Sequence, residues 1–202
     1  MELSGPQIVA FARIAADRFS VNKDALCEMD AKAGDGDIGL TMSKGFSAVR
    51  DKLVENSDQT DIAAMFRTAA LTMMNVVPST MGTLIAGGFL RVATQAGAEN
   101  DKTVISLRAV LEGLLEGIES RGKAKVGDKT ILDSLSAARD AAAARSYESV
   151  VSSAEDAAEA TRDMPAVHGR AARYPDGSIG KIDPGAVVGY HIVASLVEAA
   201  ER

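Results

Sequence analysis

The chain has 202 residues, 47% of them hydrophobic and 25% charged, with a net charge of −6 at pH 7 and a pI near 5.0. That length supports one substantial core, read as a single domain over 1–202, and the thinly spread Lys and Arg argue against a nucleic-acid partner. The lone Cys27 excludes an intrachain disulfide, and the start MELSGPQ has neither the basic region nor the apolar run of a signal peptide, so a cytoplasmic protein is expected.

Apolar residues recur at helical spacing, as in Val104, Leu107, Leu111, Leu114 and Ile118, whereas alternation at period two is scarcely visible. The fold therefore reads as all-α. The first helix follows Pro6, a favoured first-turn residue, puts Ile8, Phe11, Ala15 and Phe19 on one face, and fades before Asp30. Further helices are expected at about 38–54, 60–77, 82–96, 103–120, 130–144, 147–162 and 185–201, eight in all. Thr68 to Leu90 carries no charge, but Asn75, Pro78, Gly82, Gly87 and Gly88 interrupt it, so two buried helices meeting at a polar turn are expected rather than a membrane span. Gly, Pro, Asp and Ser concentrate in 28–39, 75–82, 121–130 and 164–185. If consecutive helices run antiparallel, alternate turns fall at one end of the bundle and converge on one site.

The first of these turns, DAKAGDGDIG, holds Asp30, Asp35 and Asp37 with Gly34, Gly36 and Gly39 between them. Hard cations such as Mg²⁺ take oxygen ligands and share their remaining positions with phosphates, so these carboxylates are candidate metal ligands. The bland reading makes Asp37 a helix cap and the others solvated turn residues. The order of ligands does not fit an EF-hand, which requires Glu at its twelfth position. Ile38-Gly39-Leu40-Thr41 opens the next helix, where free N–H groups and the helix dipole favour phosphate. Pro78-Ser79-Thr80-Met81-Gly82-Thr83 sets small hydroxyls at another helix start, as an N-cap or as phosphate contacts. The third turn runs from Arg121-Gly122-Lys123 through Gly127-Asp128-Lys129-Thr130-Ile131-Leu132-Asp133; it lacks the G-x-x-x-x-G-K-[ST] pattern of a P-loop, and a capped, solvated turn is its plain alternative. The fourth, His168-Gly169-Arg170 through Gly177-Ser178-Ile179-Gly180 to Asp183-Pro184-Gly185-Ala186, supplies an arginine suited to phosphate and a firm start for the last helix.

Together and in this order, the four segments resemble the ADP-binding L subunit of dihydroxyacetone kinase, the Dak2 family, over nearly the whole chain. In that family a GD-x-D-x-G segment gives aspartates to a pair of Mg²⁺ ions, and a GT-containing turn, GDKT-[IM]-LD and GRA…SIG…DPGA complete the nucleotide site. The resemblance implies an eight-helix up-and-down antiparallel barrel with the nucleotide and Mg²⁺ in the loops at one end. It implies that Asp30, Asp35 and Asp37 hold two Mg²⁺ on the phosphates of ADP or ATP. The nucleotide would be contacted by Ile38, Gly39, Leu40, Thr41, Ser79, Thr80, Gly82, Gly122, Thr130, Ile131, Arg170, Asp183, Pro184 and Gly185. Phosphoryl transfer of this kind is positioning plus electrostatics, so no catalytic side chain is assigned beyond the metal ligands. The implied partners are a ketose-binding K subunit and, for members that keep ADP bound, a phosphotransferase-system donor protein; neither membrane nor nucleic acid is implied, and a homodimer is among the compatible assemblies.

Two positions depart from the family pattern. Ile38 stands where relatives commonly have His, leaving only its backbone N–H to serve, and Pro78 to Met81 replace a GG-x-SG segment. They point to a divergent branch acting on a different small ketose such as a tetrulose, and they motivate a rival reading as a non-catalytic, nucleotide-dependent regulatory module. A helical lipid-binding barrel rests only on the abundance of apolar helices, which are more often simply buried.

Overall fold

The computed structural model describes residues 1–32, 34–99, 101–144 and 146–202. Helices dominate them: α1 (Gly5–Val21), α2 (Lys23–Asp30), α3 (Ile38–Glu55), α4 (Ile62–Val76), α5 (Thr80–Ala98), α6 (Leu107–Gly122), α7 (Ile131–Ala141), α8 (Tyr147–Ala160), α9 (Pro175–Ser178) and α10 (Pro184–Ala200). The eight long ones are those expected from periodicity. Two short helices were not expected. The first, α2, follows a break at Asn22, whose side-chain nitrogen joins its backbone N–H on the Arg18 carbonyl, so α1 stops at Val21 instead of running on toward Asp30. The other, α9, lies inside the loop before α10.

The expected helix over 103–120 is corrected at its start. Val104–Ser106 is a strand, β2, paired antiparallel with β1 (Glu2–Ser4), and the Leu107 N–H donates to the Met1 carbonyl. Leu3 and Ile105 are buried by this pairing, and Ser106 then caps α6 by accepting from Ala109 N–H. Three-residue strands hold only because a partner and a core lie beneath them.

The long helices pack as a closed ring in the order α1, α3, α4, α5, α6, α7, α8, α10, with α10 returning to α1. Thirteen of the residues of α10 are buried, which explains its apolar character on most sides. Inside the ring, Phe11, Phe19, Phe46, Phe66 and Phe89 meet from α1, α3, α4 and α5; Phe19 and Phe46 stack at 4.7 Å and Phe11 meets Phe46 edge to face at 6.3 Å. Burying each such ring stabilises the fold by roughly 1.5–3 kcal/mol before entropy is counted. Where α5 crosses α6, a side chain at Gly117 would put a Cβ 2.4 Å from the Gly87 carbonyl, so the two backbones approach this closely because position 117 is glycine. The uncharged 68–90 stretch is two helices with Pro78 between them, and none of the described helices is long and apolar enough to cross a membrane.

His191 sits in this core against Phe19 and Tyr190, and its Nδ1 has no hydrogen-bond partner among the described residues. Burial, with a smaller push from Arg18, lowers its pKa to about 4. The folded chain thus keeps the imidazole neutral, whereas the unfolded chain protonates below about 6.5. Folding stability is therefore predicted to fall as pH drops from about 6.5 toward 4, with a slope of at most ~1.4 kcal/mol per pH unit from this group. Denaturant titrations of wild type and His191→Leu across that range check it: the variant should lose this part of the slope, and parallel curves would assign the dependence to another group.

Candidate functional site

Because neighbours around the ring alternate in direction, α3, α5, α7 and α10 all begin at the same end, and their first residues Ile38, Thr80, Ile131 and Pro184 line one cavity of about 950 Å³. The four turns singled out in the sequence are the loops that lead into these helices. A helix N-terminus presents four N–H groups without intrahelical partners and a partial positive charge, so four of them around one cavity make an anion site.

The caps at the four starts are not equivalent. Ser79 Oγ accepts from Gly82 N–H at 3.1 Å, Thr130 Oγ1 from Leu132 N–H at 3.2 Å and Asp183 Oδ2 from Ala186 N–H at 2.7 Å. Each cap satisfies one of the four N–H groups and leaves others for a ligand. Asp37 occupies the same position on α3 but makes no side-chain cap bond. Asp30 organises that turn instead. Buried at the end of α2, it accepts from the N–H groups of Gly36, Asp37 and Ile38 at 3.0, 3.1 and 3.4 Å through the single oxygen Oδ2. Gly36 adopts a left-handed φ of 77°, and a Cβ on Gly34 would lie 2.0 Å from Asp30 Oδ1, so glycine at these positions is what lets the loop fold over the carboxylate.

One oxygen from each of Asp30, Asp35 and Asp37 can be chosen so that all lie within 4.8 Å of one another. This set fits a hard divalent cation, because the donors are all carboxylate oxygens and two of the three side chains face solvent. The crowding has an electrostatic cost: burial first, then the Asp35 and Asp30 charges, hold the Asp37 carboxyl above its usual range, with Arg170 opposing. Arg170 Nη2 reaches across from the 164–183 loop to Asp35 Oδ2 at 2.6 Å.

Most of the residues expected at the site border this cavity: Asp30, Asp35, Asp37, Ile38, Thr41, Ser79, Thr80, Gly122, Thr130, Ile131, Arg170, Asp183, Pro184 and Gly185. Gly39, Leu40 and Gly82 are placed elsewhere. A Cβ on Gly39 would overlap the Lys23 carbonyl, one on Gly82 would lie 2.4 Å from the Val77 carbonyl, and the Leu40 side chain is exposed. The first two are packing glycines. The Ile38 N–H, expected to be free for phosphate, is directed at Asp30, and the Ile38 side chain is buried.

Further residues on the wall were not among the expected site residues, although Met81, Arg121, Lys129 and Leu132 lie in the turns named from the sequence. Met81, Leu84, Ile118, Ala124 and Leu132 make an apolar side, while Arg121, Lys129 and Lys181 add cations to Arg170. A capped, solvated turn was the plain alternative for the segment around Lys129, yet this residue is only 4% exposed and its backbone is left-handed, with φ 63°. His168 also borders the cavity, and its Nε2 lies 3.0 Å from Asp128 Oδ2, a satisfied role. Burial pushes the Asp183 carboxyl up to about 7 against the Ala186 amide and the Lys129 charge, both of which favour its ionised form.

The family model of the DAK2 domain matches residues 32–198. The ADP-binding subunit DhaL of the PEP-dependent dihydroxyacetone kinase of Escherichia coli (strain K12) is 34% identical over 211 residues, covering 100% of both chains. The corresponding subunit of the PTS-dependent kinase of Lactococcus lactis is 33% identical and covers 90% of this chain and 91% of its own. Among solved structures, the dihydroxyacetone kinase of C. freundii in complex with AMP-PNP and Mg²⁺ superposes with a TM-score of 0.74 at 22% identity, over 95% of this chain and 33% of that larger kinase, which shows a shared fold. With the all-α ring, the match over 32–198 and these full-length relatives, the chain belongs to the DAK2 domain family.

Proposed function

We propose that this chain is the nucleotide-binding subunit of a dihydroxyacetone-type kinase, holding ADP or ATP with two Mg²⁺ and transferring a phosphoryl group to a short ketose carried by a separate K subunit. The observation that carries this reading is the contrast among the four helix starts: three have capped N-termini, while at the fourth Asp30 takes over the amides and leaves Asp35 and Asp37 facing solvent beside a cavity of nucleotide size. Asp30, Asp35 and Asp37 would hold the Mg²⁺, which would supply positive charge to offset that of the phosphates.

The chain's own residues supply the rest. The N-terminal turns of α5, α7 and α10 offer amides and favourable dipoles to the phosphates. Arg170, already directed at the acidic cluster, is the phosphate clamp, with its planar guanidinium suited to two parallel hydrogen bonds. The apolar wall of Met81, Leu84, Ile118 and Leu132 takes the base. The exposed side of Asp35 and Asp37 leaves an approach for an acceptor presented by a partner, so no nucleophile is needed from this chain. The names of the E. coli and L. lactis relatives support a donor relay in which a phosphotransferase-system protein rephosphorylates bound ADP in the cytoplasm.

Asp37→Asn is predicted to weaken Mg²⁺-dependent ADP binding on the order of 100-fold, about 2.7 kcal/mol, without lowering the stability of the metal-free chain, because it removes a like charge from a crowded cluster. Calorimetric titration and thermal melts with and without Mg²⁺ check both halves, and undiminished binding would remove the aspartates from the mechanism. For the donor, the expected outcome is ADP that co-purifies, survives dialysis in Mg²⁺ and is released by EDTA. Protein that purifies free of nucleotide, but phosphorylates ketoses from ATP once a K subunit is added, would replace the relay by free ATP.

A further inference from the structure

Lys129 has the chemistry of a ligand-binding lysine and the geometry of something else. Its ammonium donates to three backbone carbonyls, those of Met164 at 3.0 Å, Ser178 at 2.7 Å and Lys181 at 2.7 Å. An ammonium has three protons, so none remains for a phosphate. The side chain is 4% exposed, and burial lowers its pKa, offset in part by the Asp183 charge. Three carbonyls around one buried cation are the coordination of a bound monovalent ion, here tethered to the chain.

The tether is anchored rigidly. Asp133, buried in the first turn of α7, accepts from Gly127 and Thr130 N–H, both at 2.6 Å, and so fixes the backbone on either side of Lys129. The left-handed φ of 63° turns the lysine inward. At the far end the three carbonyls belong to the loop that carries Arg170. That loop is bonded to itself and to the 3-10 turn after α8, Thr161–Asp163, through Ala166 N–H to Ser178 Oγ, Gly180 N–H to the Arg162 carbonyl and Asp183 N–H to Thr161 Oγ1. Its ties to the α7 turn are Lys129, the Val167 N–H to the Asp128 carbonyl at 3.3 Å and the His168 to Asp128 contact. Lys129 is the only one of these three that grips both sides of Arg170, at 164 and at 178–181.

We propose that Lys129 is a positioning residue, a built-in cation whose three hydrogen bonds hold the 164–181 loop over the cavity and thereby set where Arg170 meets the nucleotide phosphates. The last clause rests on the nucleotide reading above; the clamp itself does not.

The test uses the full chain with Lys129→Gly and Lys129→Met. Glycine adopts the left-handed backbone freely, so the first variant removes the ammonium and leaves a channel, whereas methionine fills the channel without charge. Amide hydrogen exchange over 164–183 and Mg²⁺–ADP affinity are measured with and without n-butylammonium, which matches the side chain removed. The expected result is faster exchange confined to this loop in both variants, Mg²⁺–ADP affinity reduced by about tenfold or more, and recovery of both by butylammonium in Lys129→Gly alone. Unchanged loop protection in both variants would overturn the clamp. So would loss of protection throughout the core, because the lysine would then be holding the ring rather than the loop. A wild-type chain that binds no Mg²⁺–ADP would instead sink the nucleotide reading, while the exchange data still decide the clamp.

Discussion

Closure of the helix ring is the constraint from which the site follows. Once α10 packs back against α1, eight helices of alternating direction leave four N-termini at one end, whatever the loops contain. Each terminus carries roughly half a positive charge. The C-termini of α1, α4, α6 and α8 share that end and offset the net dipole, so the backbone's contribution is local, in the amides of the four helix starts, and the loops before α3, α5, α7 and α10 are the segments able to modify it. The first of these loops sets three aspartates, close enough together to share one cation, beside those amides.

The same residue type does opposite work at two of these starts. Asp183 and Asp37 both precede a first helical residue. Asp183 accepts from the Ala186 amide three positions on and is committed to the helix; Asp37 accepts from none of its helix's amides. The difference lies in the backbone, which is extended at Asp183 (ψ 123°) and helical at Asp37 (ψ −5°), so only the first is set up as a side-chain cap. Asp30 reaches from the end of α2 to hold the Gly36, Asp37 and Ile38 amides on one oxygen, and the Asp37 carboxylate is left in a crowded acidic cluster. Its raised pKa is the electrostatic expression of that crowding, and the Arg170 guanidinium beside Asp35 relieves only part of it.

The legible part of this molecule was the part written in periodic or compositional signals. Helical spacing marked the eight long helices, and the clusters of Gly, Asp, Pro and Ser marked the four converging turns. The β1–β2 pair was not legible, because strands of three residues exist only through pairing of segments about a hundred residues apart. Gly39 and Gly82 carry the same letter as a phosphate-loop glycine, but close approach to the Lys23 and Val77 carbonyls explains them. Lys129 was visible only as a letter of the third turn, and its role was not: its partners are backbone carbonyls 35, 49 and 52 residues away, and a carbonyl has no residue type to read.

These hidden contacts decide what the visible motif can do. Arg170 was recognisable as a candidate phosphate ligand from its residue type, yet a guanidinium on an untethered loop loses much of its binding free energy to the entropy of ordering that loop. Here the loop is ordered before any phosphate arrives, by internal bonds and by a buried ammonium joined to the α7 start. Arg170 holds Asp35 in this structure. On the proposed reading Asp35 would hold a cation, whose charge would offset the attraction between Asp35 and Arg170 and so favour the arginine's turning toward phosphate.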